Sequence, residues 1–273
     1  MKFTHSTRVQ QPILLVDLLA GETELSKTII KDCLNKGAVW LRRSKKKQQR
    51  VRRAKYQLKK QDQVTLYYDS EILAQPVPEP ECIADEKRYS IWDKPAGLLS
   101  QGTQYGDHCS LLRLVEKHFG NREVFLVHRL DREASGLVLI AHDRTAAAKF
   151  SRLFGSSRTN SVEKWYQVTV LGIVGEIGQE VRIEQPLEEK PSCTIARVTA
   201  IDKTRERTTL SVRIMTGRYH QIRRHLSIID HPVVGDYRYG KPTGDPLQLQ
   251  ACKLGFICPI SGEKKSYSLE SRF

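Results

Sequence analysis

The sequence predicts an α+β protein in two parts, a small basic α/β domain followed by a larger domain of short strands and a few helices. Three observations carry this. The chain has 273 residues, enough for about two domains at roughly 100–200 residues each. Short apolar runs of strand length recur along it, while helical periodicity is confined to a few segments. Between the two parts, residues 70–87 combine Pro76, Pro78 and Pro80 with Glu71, Glu79, Glu81, Asp85 and Glu86 and show no periodic apolar pattern. That is the composition of a linker, and the expected division is a first domain over 12–70, a linker over 71–87 and a second domain over 88–273.

Composition narrows the class. With 39% hydrophobic and 28% charged residues, the chain can bury on the order of 70–75% of its unfolded surface, so disorder is not its main state. The apolar stretch at 13–20 is short, is interrupted by Asp17 and has no small-residue cleavage pattern after it. Neither a signal peptide nor a spanning helix fits, and a cytoplasmic protein with no membrane partner is expected. The six cysteines (Cys33, Cys82, Cys109, Cys193, Cys252 and Cys258) form no CxxC pair; reduced thiols are expected. Cys252 and Cys258 alone lie near each other, with no His between them, so no metal is expected.

In the first domain, Ser26 is placed to cap a helix that presents Ile29, Ile30, Cys33 and Leu34 and stops at Gly37. Residues 38–41 read as a short strand, residues 59–62 as a polar turn, and Val64, Leu66 and Tyr68 as an alternating strand. Charge concentrates here. The whole chain carries 45 Lys+Arg against 31 Asp+Glu, a net +14. Of this, +8 belongs to residues 1–80, with 16 basic and 8 acidic side chains. Between 36 and 60 lie twelve basic residues and no acidic one, among them Arg42, Arg43, Lys45, Lys46, Lys47, Arg50, Arg52 and Arg53. A polyphosphate partner fits such a run better than a basic tail or an anionic lipid surface, because neutralising phosphates releases condensed counterions.

In the second domain, residues 89–92 form a strand, Lys94-Pro95-Ala96-Gly97 a turn, and residues 110–119 an amphipathic helix ended by Gly120. The apolar runs 124–127 and 137–141 enclose the polar loop HRLDREAS, which holds His128, Arg129 and Asp131. A loop between two core elements suits a functional group, although Asp131 could equally cap its turn or pair with Arg129 or Arg132. Residues 163–170 and 209–214 read as strands. From Thr216 the pattern turns helical, with Ile222, Leu226 and Ile229 on one face. Its start is crowded with Arg and His, a site for phosphate or carboxylate. Taken singly, Tyr166 reads as a cross-strand residue, and His220 and His225 as hydrogen-bonded structural histidines.

Two resemblances emerge from these segments. SKTIIKDCLNKGAVWL and QLKKQDQVTL resemble the S-four RNA-binding module first known from a small-subunit ribosomal protein, with Gln61 where that module has a glycine. DKPAGLL, VHRLDREASGLVLIAHD, KWYQVTV, TGRYHQIRRHL and HPVVGDYRYG, in that order, resemble the RluA-type RNA pseudouridine synthases over residue 89 to the end. Ala134, where the family commonly has Thr, the HQIRRH wording, and Gln250, where His is common, depart from its pattern.

The second resemblance implies a pseudouridine synthase fold with a mixed, mainly antiparallel sheet, and isomerisation of uridine to pseudouridine within structured RNA without metal or redox cofactor. It implies Asp131 as nucleophile, Arg223 as the arginine paired with it, and Tyr166 as the tyrosine stacked on the target base, with a part in removing the carbon-five proton. Arg129 is similar to the arginine that enters the RNA stack when the uridine is flipped out, and His128 is placed beside it as an RNA contact. The expected partner is RNA, ribosomal ahead of transfer RNA, bound by a monomer. A non-catalytic RNA-binding or ribosome-associated protein, and a hydrolase using Asp131 with His128 or His220, are the competing readings.

Overall fold

A computed structural model of the chain describes residues 1–44, 46–120, 122–155 and 162–273. The chain divides into two compact units, Met1–Val77 with Gln101–Phe119, and Pro78–Ser100 with Gly120–Phe273. The segment 101–119, expected in the second part, therefore clusters with the first.

The first unit contains β1 (Lys2–Arg8), β2 (Ile13–Leu14), α1 (Leu15–Glu22), α2 (Lys27–Asn35), β3 (Val39–Arg42), β4 (Gln49–Arg50), β5 (Gln57–Leu58), β6 (Gln63–Asp69), α3 (Ser70–Leu73) and α4 (Leu111–Phe119). Ser26 caps α2 by accepting the Ile29 N–H at 3.3 Å. Gly37 ends the helix at φ +79°, a left-handed position that suits glycine. The sheet runs in the order β1-β6-β3-β4 over a core that includes Leu15, Leu19, Ile30, Leu34, Leu41 and Leu66. In the turn before β6, Gln61 adopts φ +73° where a glycine is expected. The next residue, Asp62, stabilises the turn by accepting the Lys59 N–H at 3.0 Å. The strand β1 has no counterpart in the sequence reading, because its inward side chains Phe3, His5 and Thr7 are only half-buried and mostly polar.

The second unit contains β7 (Glu81–Asp85), β8 (Tyr89–Lys94), β9 (Phe125–Leu126), β10 (Ser135–Ala141), α5 (Arg144–Gly155), β11 (Val162–Leu171), β12 (Glu180–Ile183), β13 (Thr194–Asp202), β14 (Arg207–Ile214), α6 (Gln221–Ile228), β15 (Leu249–Ile257) and β16 (Lys264–Ser268). Among the described residues these strands form one sheet of ten, with the path β12-β13-β14-β11-β15-β10-β8-β7 and with β16 and β9 pairing β15 and β10. All its pairings are antiparallel except β10 with β15, the mixed, mainly antiparallel sheet of an α+β protein.

Two corrections concern element boundaries. Residues expected as linker contain β7, which pairs with β8 as an edge strand; its alternation is masked because acidic residues sit at both of its ends. The helix expected from Thr216 starts only at Gln221. The Gln221 side chain accepts from the Thr216 hydroxyl at 2.7 Å and the Arg218 N–H at 3.0 Å, so residues 216–220 close a turn instead.

The parallel junction fixes one glycine. Gly136 on β10 lies opposite Ala251 of β15 at φ +116°, and a Cβ there would collide with the Ala251 main chain. Gln250, beside this junction and fully buried, donates to Glu270 O at 3.0 Å and accepts the Arg272 N–H at 3.2 Å. Among the described residues, no helix is long and apolar enough to cross a membrane.

Candidate active site

The loop between β9 and β10 is held on both sides of Asp131, mostly by side chains bonded to main-chain groups. His128 Nε2 accepts the Leu139 N–H at 3.0 Å. The Ser100 hydroxyl donates to Leu130 O at 2.8 Å and accepts the Leu130 N–H at 3.0 Å. The Gly97 N–H donates to Arg132 O at 2.8 Å. The Lys94 ammonium, fully buried, donates to the carbonyls of Leu98 at 2.8 Å, Arg132 at 3.3 Å and Ala134 at 2.6 Å. A buried cation is tolerated when carbonyl dipoles surround it. The DKPAGLL segment and the Ser100 that follows it thus clamp the aspartate loop through Lys94, Gly97 and Ser100, whose loop partners lie thirty or more residues away in sequence.

Asp131 projects into a cavity of about 420 Å³ that is also lined by Arg129, Tyr166, Lys164, His220 and Arg223. The Asp131 side chain is 18% exposed, with Arg223 Nη1 3.6 Å from Oδ2 and His220 Nε2 3.6 Å from Oδ1. The cavity therefore brings together Asp131, Tyr166, Arg223, Arg129 and His128 from the sequence reading.

Arg223 is set chiefly by another group. Its Nε and Nη2 donate to the Asp236 carboxylate at 2.7 and 2.8 Å, and both side chains are buried. Asp236 Oδ1 also accepts the N–H groups of Arg238 at 3.0 Å and Tyr239 at 3.1 Å. Burial alone would raise the Asp236 carboxyl, but the guanidinium and these N–H groups bring it below its ordinary value. Burial likewise works against the Arg223 charge, and the Asp236 carboxylate outweighs it, so Arg223 stays ionised. Asp236 belongs to HPVVGDYRYG, a motif noted for its order and not for this carboxylate.

Tyr166 lies on β11 at a bulge, where the register against β15 shifts between Trp165 and Tyr166; such bulges re-aim side chains. Burial, and then the nearby Asp131 charge, push its phenol well above the usual range. A phenol so raised stays protonated at neutral pH, which suits stacking or donating a hydrogen bond.

The histidines divide in role. His128 stacks on Phe154 with ring centres 4.3 Å apart, and burial lowers it to about 3. Its Nε2, taken by the Leu139 N–H, is not available to serve as a base beside Asp131. His225 is buried against Thr194 Oγ1 at 2.8 Å, Gln185 O at 2.9 Å and Ser192 Oγ at 3.0 Å, a structural histidine. His220, read as structural, in fact faces Asp131; it precedes α6 at φ +51° and its Nδ1 meets the Tyr239 hydroxyl at 3.1 Å. Burial lowers it as well, ahead of the opposing Asp131 charge. Lys164, 4.9 Å from the Phe154 ring centre, is lowered by burial to about 8.

In the first unit the basic run is only partly free for a polyanion. Arg43 is engaged by Asp62 at 3.1 and 3.2 Å. Arg50 donates to Gly37 O at 2.9 Å and stacks 4.2 Å from the Trp40 ring centre, and Arg52 pairs with Asp107 at 2.6 Å. Arg42, Lys46, Lys47 and Arg53 are exposed, and Lys45 lies outside the described residues.

The sequence model described as "RNA pseudouridylate synthase" matches residues 88–228. The chain is 30% identical to the Dual-specificity RNA pseudouridine synthase RluA of Pasteurella multocida over 72% of its own length and 95% of that protein. It is 29% identical to an uncharacterised RNA pseudouridine synthase of Aquifex aeolicus over 90% of this chain and 86% of that one. A third relative, an uncharacterised RNA pseudouridine synthase of Helicobacter pylori, is 30% identical over 59% of each chain. Human RNA Pseudouridylate Synthase Domain Containing 1 shares the fold, with a TM-score of 0.60 at 21% identity over 73% of this chain and 87% of that structure. The chain belongs to the RNA pseudouridylate synthase family.

Proposed function

We propose that the protein isomerises uridine to pseudouridine within structured RNA, with Asp131 as nucleophile. The observation that carries this is a loop clamped on both sides of Asp131, which holds its carboxylate in a cavity beside Arg223 and Tyr166. Uridine must be flipped out of its stack to enter, at a cost on the order of a few kcal/mol, and the exposed Arg129 on the same loop can fill the gap. An Asp131 oxygen attacks C1′ of the ribose and the N1–C1′ bond breaks, leaving uracil as an anion in the cavity. Uracil turns, C5 attacks C1′, and Asp131 leaves as a carboxylate. The C5 proton is lost to solvent and N1 takes up one in its place, so substrate and product are isomers and nothing is consumed. Covalent catalysis of this kind divides one difficult step into two.

Arg223, fixed by Asp236, balances the Asp131 charge without seizing both oxygens, since its nearest nitrogen stands 3.6 Å away. Tyr166, a protonated phenol, supplies a stacking face for the base. The first unit acts as an S-four-like RNA-binding domain through its exposed basic residues, in a monomeric cytoplasmic enzyme. Ribosomal RNA is the proposed target ahead of transfer RNA: the first unit resembles a ribosomal module, and a relative 30% identical over 67% of this chain carries the name Ribosomal large subunit pseudouridine synthase C.

Pseudouridine mapping of ribosomal and transfer RNA tests the proposal, using cells with the gene, without it, and complemented with Asp131→Asn. At least one site is expected to vanish on deletion and to stay absent in the Asp131→Asn strain. No change at any site favours the non-catalytic RNA-binding reading, and free uracil or cleaved RNA favours a hydrolase.

A further inference from the structure

Beside the cavity mouth lie groups that the isomerisation itself does not use. Tyr219 lines the cavity yet is 47% exposed, and Tyr237, nearby in the motif that carries Asp236, is 67% exposed. One face of the Tyr219 ring packs on His220 with centres 3.7 Å apart and planes at 21°. That contact aligns the ring with the group facing Asp131. Arg238 is exposed. Its guanidinium stands 5.8 Å from the Tyr219 ring centre, with Nη1 3.4 Å from the Tyr219 hydroxyl. The Tyr237 hydroxyl donates to Glu133 at 3.3 Å, which occupies that tyrosine. A large, half-exposed aromatic ring, fixed on one side and attended by an exposed cation that also lies 5.6 Å from the Tyr239 ring centre, costs burial free energy that the isolated protein does not recover. Single-stranded RNA is bound by this pairing, with an aromatic face for a base and a guanidinium for the adjoining phosphate.

We infer that Tyr219 and Arg238 form a subsite for the nucleotide next to the flipped uridine. The Tyr219 ring stacks on that nucleotide's base and Arg238 swings from the ring to its phosphate. This rests on the reading of the cavity as a uridine site. The subsite is tolerant of base identity, because every base offers a face to stack.

The test uses the full chain and single-stranded heptaribonucleotides with a central uridine and 2-aminopurine on its 5′ or its 3′ side. Wild type and Tyr219→Phe are expected to quench one of the two probes, while Tyr219→Ala abolishes the quench and weakens binding by roughly 5- to 150-fold, the range for one base stacked on an aromatic ring. Arg238→Ala is expected to flatten the salt slope by about 0.7, one phosphate contact on a single strand. With an abasic residue in place of the quenched nucleotide, wild type and Tyr219→Ala bind alike. If Tyr219 only supports His220, Tyr219→Ala weakens intact and abasic strands equally, and the subsite is overturned; absence of quenching by wild type at both positions also overturns it. Carbon-five tritium release from bulk RNA of a strain lacking the gene is measured alongside. Release by wild type without the coupling removes the subsite alone, and no release by wild type removes the uridine reading with it.

Discussion

Asp236→Ala leaves the Arg223 guanidinium buried without its two shortest acceptors, at 2.7 and 2.8 Å. Arg223 is 2% and Asp236 0% exposed, so water does not replace them. Removing one partner of a buried pair costs roughly 3–5 kcal/mol, a large share of a typical total stability of about 5–15 kcal/mol. The N–H groups of Arg238 and Tyr239 lose the same acceptor. Asp236→Asn keeps an oxygen for those N–H groups and for Arg223 Nη2 but loses the charge and the acceptor of Arg223 Nε, for a smaller cost of about 1.5–3 kcal/mol. Activity should fall further than stability does. Freed from Asp236, Arg223 moves from 3.6 Å into direct contact with Asp131 and occupies the oxygen that must reach C1′. A displacement of about 1 Å near a reacting group costs on the order of 10²-fold in rate. Urea unfolding followed by circular dichroism, with tritium release measured well below the transition, reads both effects. An Asp236→Ala protein within 1 kcal/mol of wild type and with full turnover would refute the assignment of Asp236 as the group that positions Arg223.

Gly136→Ala places a Cβ against the Ala251 main chain at a left-handed φ and should cost on the order of 4 kcal/mol, as steric and backbone strain combine; a urea midpoint unchanged from wild type would contradict the close approach. His128 lies near 3 because burial disfavours its charge, below the usual value of about 6.5. The stability contributed by its neutral form is complete above about pH 6.5 and drains away as the pH falls toward 3. Nitrogen-15 imidazole spectra should show His128 neutral and Nδ1-protonated at pH 5, and a midpoint near 6.5 would reject this. Neutralising Arg42, Lys46 and Lys47 together should flatten the salt dependence of RNA binding by up to about 0.9 log units per lost phosphate contact on duplex. Arg43→Gln, which loses its bond to Asp62, should act mainly on stability. An unchanged salt slope in the triple variant would remove the first unit from the RNA interface.

Much of the second unit was legible because its elements are local and strongly patterned. The run in β10 is buried along its whole length, and the polar loop before it stands out by contrast. Asp131, Tyr166 and Arg223 could be gathered from ordered motifs, and the structure brings them to one cavity. What could not be read depends on partners distant in sequence. The Lys94 clamp acts across 38 and 40 residues. The segment 101–119 clusters with the first unit through contacts such as Arg52 with Asp107, 55 residues apart. The strand β1 escaped notice because it presents one apolar side chain, Phe3, to its neighbours. His220 and His225 share a motif and a residue type; burial against Thr194 or exposure to Asp131 separates them, and composition carries neither fact.

The central claim is that the clamped Asp131 carboxylate performs the isomerisation. Its most direct measurement is single-turnover release of tritium from carbon five of uridine in RNA, comparing wild type with Asp131→Asn at equal RNA occupancy. Asparagine keeps the size and most of the hydrogen bonding of the side chain but is not a nucleophile. The account predicts release by wild type and none by Asp131→Asn, with RNA binding retained. Release by the Asn variant at a rate near wild type would contradict it.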